Sequence, residues 1–293
     1  MLFAIVIMTV QTAFSQEDDL LSLLGEDEEE TSVTTAAFKT TRVVNGHSIE
    51  NVAAGVLDVK ISHRFGFLNS GIKDLFGLDN ATIRIGGEYG ISDRLMIGFG
   101  RSSFEKTYDG FTKLRLLRQK TGAKSFPFSL SYAGSVAVTT ADYPIEEREN
   151  YATSKFFYMN QLLIARKFSD KFTLQFMPTL VHRNLVPNPD IENDVFSIGT
   201  AFRQKLSNRV TINLEYYYML PDQIPDQFNN SLSLGFDIET GGHVFQMHLT
   251  NATSMVYKGF VTETVGDWFD GDIHFGFNIS RVFTIKKPKI FQE

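Results

Sequence analysis

"LSNRVTINLEYYY", residues 206–218, is the stretch that decides the fold class. It begins with a Ser-Asn-Arg tripeptide typical of a tight turn and then alternates between two kinds of side chain. One face is apolar along its whole length and carries Val210, Ile212, Leu214, Tyr216 and Tyr218. The other face is largely polar and carries Thr211, Asn213, Glu215 and Tyr217. A period of two indicates a β-strand, so the apolar face is covered either by a second protein layer or by lipid.

The same alternation recurs from about residue 52 almost to the end of the chain. It predicts twelve strands, at 55–65, 81–91, 94–102, 110–119, 126–139, 155–168, 171–183, 194–206, the quoted stretch, 230–239, 243–251 and 271–283. An even number of antiparallel strands can close into a barrel with both chain ends on one side. No apolar run of about 18 residues follows Val10, so the sequence predicts no transmembrane helix.

The connections between the predicted strands alternate in length. One turn motif is used three times, in "ISDRL" (91–95), "FSDKF" (168–172) and "LSNRV" (206–210). Asp and Asn suit such turns because they tolerate left-handed backbone. The longer links follow the odd-numbered strands and lie at 66–80, 103–109, 140–154, 184–193, 220–229 and 252–270. Short turns at one end and long loops at the other are typical of outer-membrane barrels, with the short turns on the periplasmic side.

Aromatic residues at two heights support a membrane barrel. Phe65, Tyr216 and Tyr218 fall near the long-loop end of their strands, and the short-turn end carries Tyr89, Phe168, Phe172 and Phe283. Two such girdles are expected where a barrel meets the two membrane interfaces. A soluble β-sandwich is the alternative, but it has no need of aromatic residues at fixed heights. We therefore predict an all-β fold, a closed, up-and-down antiparallel transmembrane β-barrel of about 12 strands over residues 51–284.

The two ends of the chain read differently from the barrel. Residues 1–15 are interpreted as a signal peptide, because an apolar run is followed by Ala13 and Ser15 at the positions expected before a cleavage site. Residues 16–50 are predicted to form an acidic periplasmic tail whose last part could plug the lumen, and residues 285–293 form a basic periplasmic tail. Residues 16–30 hold eight carboxylates, which more than account for the net charge of −6. The chain has no cysteine, which excludes thiolate metal sites and disulfides.

The polar face of each strand points into the predicted lumen and carries charges of both signs. These residues are Asp58, Lys60, Arg64, Arg84, Glu88, Lys113, Arg115, Arg203, Lys205, Glu215, Asp237 and Glu239. Two interpretations stay open: the charges pair and hold a narrow lumen shut, or they line a water-filled pore and select solutes. Twelve strands lie between the filled eight-stranded barrels and the open porins. Tyr217 and Met177, both bulky and inward, favour a filled lumen slightly.

Few residues suggest chemistry beyond passage. His182 has outward parity near the long-loop rim, where a lipid-face hydrolase would place its histidine, but no serine stands obviously beside it. The His47–Ser48 pair is adjacent in sequence only, which does not give the geometry of a hydrolase. Asp267, Asp270 and Asp272 hint at Ca²⁺, although the twelve-residue loop pattern is not met. We expect no catalytic residue, no metal site and no cofactor, and hence no enzyme.

The chain resembles an uncharacterised family of outer-membrane β-barrel proteins of the Bacteroidota, defined by a domain of unknown function. The resemblance is carried by "TTRVVNGHSIE" (40–50), "ISHRFG" (61–66), "LFGLDNATIRIGGEYG" (75–90), "GRSSFEKTYDGFTKLRLLRQ" (100–119), "QLLIARKFSD" (161–170), "MPTLVHRNLV" (177–186), "GGHVFQMHLTN" (241–251) and "GDIHFGFNISRVF" (271–283). It implies location in the outer membrane of a Gram-negative, Bacteroidota-type bacterium. It implies no established activity.

The expected function is that of a small-solute channel or transporter. The alternative is a closed barrel that anchors periplasmic or surface proteins, and a lipid-face hydrolase is a weak third hypothesis. The expected partners are outer-membrane lipid and the barrel-assembly machinery, because the last strand ends in "GFNISRVF" with a terminal aromatic. Basic nucleic-acid footprints are absent, so no nucleic-acid partner is expected.

Overall fold

A computed structural model of the chain describes residues 30–143, 149–186 and 191–287. The predicted signal peptide, residues 16–29 of the acidic tail and residues 288–293 of the basic tail lie outside these residues. The described strands are β1 (Ser32–Val33), β2 (Val56–Phe67), β3 (Ala81–Gly90), β4 (Leu95–Ser102), β5 (Thr107–Leu117), β6 (Lys120–Thr121), β7 (Ser129–Thr139), β8 (Phe156–Lys167), β9 (Phe172–Arg183), β10 (Asp194–Lys205), β11 (Val210–Met219), β12 (Ser231–Thr240), β13 (His243–Thr250) and β14 (His274–Thr284).

All of these strands except β1 and β6 form one closed barrel. Each of the twelve pairs with antiparallel neighbours, and β14 pairs with β2 to close the ring. The predicted closed antiparallel barrel of about 12 strands is confirmed. Strand boundaries differ from the predicted ones by up to four residues; β11, for example, begins at Val210 rather than at residue 206.

Strand β11 shows how the sequence pattern becomes a wall with two different faces. Its residues Thr211, Asn213, Glu215 and Tyr217 are buried, whereas the apolar residues between them are partly or fully exposed. The same alternation runs around the barrel, and Phe99 on β4 is 71 % exposed. Among the residues that the structure describes, no protein layer covers this apolar outer face, which is the arrangement of a wall surrounded by lipid.

Strands β1 and β6 form a separate two-stranded sheet at the short-turn end. Ser32 pairs with Thr121 and Val33 with Lys120. The sequence pattern indicated only a turn between the fourth and fifth predicted strands. A bulge between Arg115 and Leu117 lies just before β6. A bulge bends a strand and interrupts its ladder, and here it lies where the chain leaves the barrel wall.

Residues 36–50, here called the plug hairpin, lie inside the barrel. The Val43 N–H donates to the Gly46 carbonyl at 2.9 Å, and the Ser48 N–H donates to the Thr41 carbonyl at 2.9 Å. The hairpin starts just after β1. It ends near Gly55, whose N–H donates to the Gly90 carbonyl at 2.8 Å. Since both of its ends lie at the short-turn rim, the hairpin enters and leaves the lumen from the same side.

The long loop between β13 and β14 fills the lumen from the opposite side. It carries helix α1 (Tyr257–Thr262), which contacts β8, β9 and β11. Phe260 of α1 packs edge-on against Tyr217 of the wall, with 5.3 Å between ring centroids. The largest buried apolar cluster includes Phe38 and Val43 of the plug hairpin as well as Phe260. Most of the apolar core therefore lies within the barrel. In the described part of the chain, no helix is long and apolar enough to cross a membrane.

We expect Phe99→Arg to lower the free energy of unfolding in lipid vesicles by about 2–4 kcal/mol, because a charge near the middle of a lipid-facing strand loses its hydration. The matched control is Phe269→Arg. Phe269 is fully exposed on the long loop before β14, and its replacement should change the stability little. Urea unfolding followed by tryptophan fluorescence measures both. Equal effects of the two substitutions would contradict a lipid-covered outer face.

Candidate functional site

The candidate site is the lumen with its two fillings. Nine of the twelve charged residues that the sequence places on the inner face are buried: Asp58, Lys60, Arg64, Arg84, Glu88, Lys113, Arg203, Glu215 and Asp237. The other three, Arg115, Lys205 and Glu239, lie near the short-turn ends of their strands and are partly or fully exposed. The wall thus concentrates its buried charges at the level of the plug hairpin.

Glu215 of β11 binds the tip of the plug hairpin. Its carboxylate accepts the N–H groups of Val44 (3.1 Å), Asn45 (3.1 Å) and Gly46 (3.0 Å). Three successive amides form a concave anion site of the kind called a nest, and hydrogen bonds to a charged acceptor are among the stronger ones. A side chain at Gly46 would collide with the Tyr217 hydroxyl, so glycine permits this close approach.

Arg64 of β2 joins the wall, the plug hairpin and the long loop. One terminal nitrogen donates to the carbonyls of Ala252 (2.6 Å) and Ser254 (2.8 Å) in the loop before α1. The other donates to the Asn45 side-chain oxygen at 2.5 Å. The guanidinium group has several donors in a fixed plane, which lets one buried side chain connect three parts of the molecule.

The plug hairpin and α1 meet directly at His47 and Tyr257. The Tyr257 hydroxyl accepts the His47 main-chain N–H at 2.7 Å and donates to the Gln161 side chain at 2.8 Å. The two rings stack with their centroids 5.6 Å apart. Gln175 of β9 donates to the His47 carbonyl at 2.8 Å. The filling from the short-turn side and the filling from the long-loop side therefore touch each other inside the lumen.

A second group of charges holds the sides of the plug hairpin. Glu88 of β3 accepts a hydrogen bond from Arg42 of the plug hairpin at 3.2 Å and also binds the Thr41 hydroxyl. Lys113 of β5 donates to the Ser48 carbonyl at 2.9 Å. Arg203 of β10 donates to two carbonyls near the start of the hairpin, at 3.1 and 3.2 Å. Buried charges are costly unless they are paired and hydrogen-bonded, and here the plug hairpin supplies the partners.

The mouth at the long-loop end carries an ionic cluster that the sequence analysis missed. Lys258 of α1 lies 2.9 Å from Glu263 and 3.1 Å from Glu105, and Arg183 of β9 lies 3.7 Å from Glu263. Burial alone lowers the pKa of Lys258, but the two carboxylates outweigh it and raise the pKa above its usual value. Arg183 shares the inward parity of Thr179 on β9, so the alternation could have identified it. Glu105, Lys258 and Glu263 are on loops, where no periodicity indicates direction.

The seven predicted girdle aromatics all fall outside the lumen. Phe168, Tyr218 and Phe283 are exposed, and Phe65, Tyr89, Phe172 and Tyr216 are half-buried against neighbouring side chains. Phe65 stacks on Phe275 of β14 with 5.9 Å between ring centroids. Tyr217, which lies between two girdle tyrosines in sequence, is fully buried inside the lumen.

The residues considered for hydrolysis or Ca²⁺ binding make ordinary structural contacts. His182 lies 2.8 Å from Asp194, and its cross-strand neighbours are Tyr158 and Asp194 rather than a serine. The Ser48 hydroxyl donates to the Thr40 carbonyl at 2.5 Å. Asp272 accepts a hydrogen bond from the Asn69 side chain at 2.6 Å. Within the described ranges, no group of three potential metal-ligating side chains occurs.

The fold and the polar lumen define a membrane-bound β-barrel, an architecture of the Gram-negative outer membrane. The family model "Membrane bound beta barrel domain (DUF5777)" matches residues 38–283, and the chain belongs to this family. The match begins at Phe38, so the family includes almost all of the plug hairpin as well as the barrel. A comparison with curated proteins found no matching relative.

Three solved structures of outer-membrane proteins are similar to this chain at low sequence identity. The KdgM porin gives a TM-score of 0.47 at 8% identity, covering 78% of this chain and 99% of that chain. The NanC porin gives 0.49 at 7% identity, covering 78% of this chain and 98% of that chain. An outer membrane channel from Pseudomonas putida F1 gives 0.43 at 12% identity, covering 80% of this chain and 97% of that chain.

Glu215→Ala should weaken the plugged state strongly, because three buried amides lose their acceptor. We expect the free energy of unfolding to fall by about 2–5 kcal/mol, the range for breaking a buried charged contact. The control Glu239→Ala removes a half-exposed rim carboxylate that pairs with Lys39 of the plug hairpin, and it should cost about 0–1 kcal/mol. Hydrogen exchange of the amides of residues 44–46 reports the tip directly. Unchanged exchange in Glu215→Ala would show that the carboxylate does not hold the hairpin.

Proposed function

We propose that the protein is a small-solute channel of the outer membrane whose lumen is closed by the plug hairpin and α1. The observation that carries this proposal is the polar character of the contact between wall and plug. The inward side chains of the wall that bond to the hairpin include these eight: Arg64, Glu88, Lys113, Gln175, Arg203, Glu215, Gln246 and Asn278. Five of these eight are charged residues of the wall's inner face: Arg64, Glu88, Lys113, Arg203 and Glu215, on β2, β3, β5, β10 and β11.

Polar contacts of this kind can be exchanged for water. A hydrogen bond within the protein contributes only about 0.5–1.5 kcal/mol net, because water replaces the partner when the bond opens. If the hairpin leaves, the wall charges face a hydrated passage and remain solvated. A permanently filled core would be better served by apolar side chains, since replacing buried ion pairs with apolar residues is often neutral or stabilising.

The passage would need movement at both ends. Both covalent connections of the plug hairpin to the rest of the chain lie at the short-turn rim, so the hairpin can be withdrawn on that side. Helix α1 is part of the longest loop and is held at the mouth by Lys258 with Glu105 and Glu263. A cavity of about 220 Å³ at the same mouth is lined in part by Lys155, Phe157 and Lys258. This cavity is where a solute would first meet the closed helix.

The processing, orientation and cellular location of the chain are part of the same proposal. Residues 1–15 act as a signal peptide, the short-turn rim faces the periplasm, and the barrel-assembly machinery inserts the chain into the outer membrane of a Bacteroidota-type bacterium. These assignments are supported by the apolar start of the sequence, the asymmetry of loop lengths and the aromatic end of β14. The lumen charges have both signs and select no solute class by themselves.

A second candidate function is a closed barrel that anchors periplasmic or surface partners. The observation in its favour is that the lumen is filled from both sides, with His47 of the plug hairpin in contact with Tyr257 of α1. In this case the tail would recruit the partner and the lumen would never conduct.

A reversible lock on the plug hairpin distinguishes the two functions. A β-carbon built at Gly235 of β12 lies 3.0 Å from a methyl carbon of Val44, a spacing suited to a disulfide. Because the chain has no cysteine, Val44→Cys with Gly235→Cys gives a unique bond. In planar bilayers, Glu215→Ala should conduct in clear steps, the oxidised lock combined with Glu215→Ala should silence it, and reductant should restore it.

The controls are the two single cysteine variants on the Glu215→Ala background, which should conduct with or without oxidant. Silence of Glu215→Ala together with full exchange of the tip amides would show that an unplugged lumen is still closed. That outcome would reject opening by release of the plug hairpin alone. Silence that persists when Lys258→Ala also frees α1 from Glu105 and Glu263 would reject the channel and support the anchor.

A further inference from the structure

A cationic cavity lies at the short-turn rim of the barrel. It has a volume of about 570 Å³ and lies between the β3–β4 turn and the segment that runs from the end of β5 through β6. Its lining includes the basic residues Arg94, Arg115, Arg118, Lys120 and Lys124, here called the basic rim pocket. The one acidic side chain in the lining is Asp93. The lumen, by contrast, mixes charges of both signs.

The five cations of the basic rim pocket have no carboxylate partner within the described residues. Arg115 donates to the main-chain carbonyl of Asp93 at 2.8 Å, and the carboxylates of Glu50 and Asp93 act on its charge without forming an ion pair with it. Like charges held close together repel one another. A bound anion would relieve this repulsion, and arginine side chains suit phosphate because their paired donors match its oxygens.

The pocket borders the apolar outer wall. Leu116 and Leu117, at the end of β5, line it and are about two-fifths exposed, at 42% and 43%. Leu114, two residues earlier on the outward face, is also exposed. The cavity therefore places exposed apolar side chains beside cations, which are the two chemistries that an acyl chain and its phosphate headgroup require. The cations therefore stand where the hydrocarbon face of the barrel ends.

We propose that the basic rim pocket binds the phosphate of an anionic phospholipid from the leaflet that meets the short-turn rim. The leucines contact the first part of the acyl chain, and Arg94, Arg118 and Lys124 surround the phosphate. Basic residues at the membrane surface attract anionic lipid. Headgroups of the surrounding leaflet are always present at this level, whereas a soluble anion has to be captured from dilute solution.

The acidic run of residues 26–30 is the competing occupant. It carries five carboxylates, and the Thr31 hydroxyl accepts the Lys124 main-chain N–H at 3.2 Å, so this run directly precedes the pocket. A carboxylate run has no apolar part to match Leu116 and Leu117. The lipid accounts for both the cations and the leucines, and the experiment below separates the two occupants.

The test uses the purified protein in nanodiscs containing equal parts of phosphatidylglycerol and phosphatidylcholine, with retained lipid counted by native mass spectrometry. The pocket variant is Arg118→Gln with Lys124→Gln. The matched control, Lys171→Gln with Arg209→Gln, removes two exposed cations from other turns of the same rim. At about fivefold per surface cation, the pocket variant should lose preference for phosphatidylglycerol by at least roughly tenfold, while the control keeps it.

Further arms assign the occupant. Inorganic phosphate at millimolar concentration should displace the lipid poorly, and displacement at that level would overturn the lipid assignment in favour of a simple anion site. The tail variant Glu26→Gln, Asp27→Asn, Glu28→Gln and Glu29→Gln should leave lipid retention unchanged. Retention that appears only in this variant would show that the acidic run fills the pocket. An equal loss of phosphatidylglycerol preference in the pocket variant and the control variant would overturn the proposal, because general surface charge would then explain the binding.

Discussion

The structure depends on one constraint: a strand in a lipid-covered wall turns every second side chain inward, and each polar group placed there needs a partner. In β11 this puts Glu215 into the lumen, and in β2 it puts Asp58, Lys60 and Arg64 there. In a wide pore water supplies the partners. Here the chain supplies most of them itself, through the plug hairpin from one side and the loop that carries α1 from the other.

The inward charges form two groups, which differ in the part of the plug hairpin that they contact. Near the middle of the lumen, Glu215 and Arg64 hold the hairpin tip and the loop together. Around the hairpin's sides, Glu88, Lys113 and Arg203 bind backbone and side-chain atoms along its length. Apolar packing is concentrated on the β7–β9 side, where Met159, Leu163 and Met177 are buried. The hairpin therefore has one polar side, which water can replace, and one apolar side, which favours the closed state.

Much of this was accessible from the sequence, because a period of two fixes direction as well as conformation. The parity of Glu215 and Arg64 follows from neighbours such as Leu214 and Phe65. The strand count follows from turns such as "LSNRV". The partners do not follow from the sequence. Nothing local in Asn45 or Ala252 indicates that both contact Arg64, since the Arg64–Ala252 contact joins residues 188 positions apart. Helix α1 and the β1–β6 pair were missed because short elements leave no periodic signal and form through tertiary contact.

The position of both hairpin ends at one rim has a consequence for biogenesis. No part of the barrel wall has to thread around residues 36–50, and no segment passes from one mouth to the other through the hairpin. The ring of twelve strands can close in the bilayer while its centre is still hydrated, and the hairpin can dock afterwards. The segment that leaves the ribosome before any barrel strand is then the last to reach its place, and docking acts as the final maturation step of an already inserted protein.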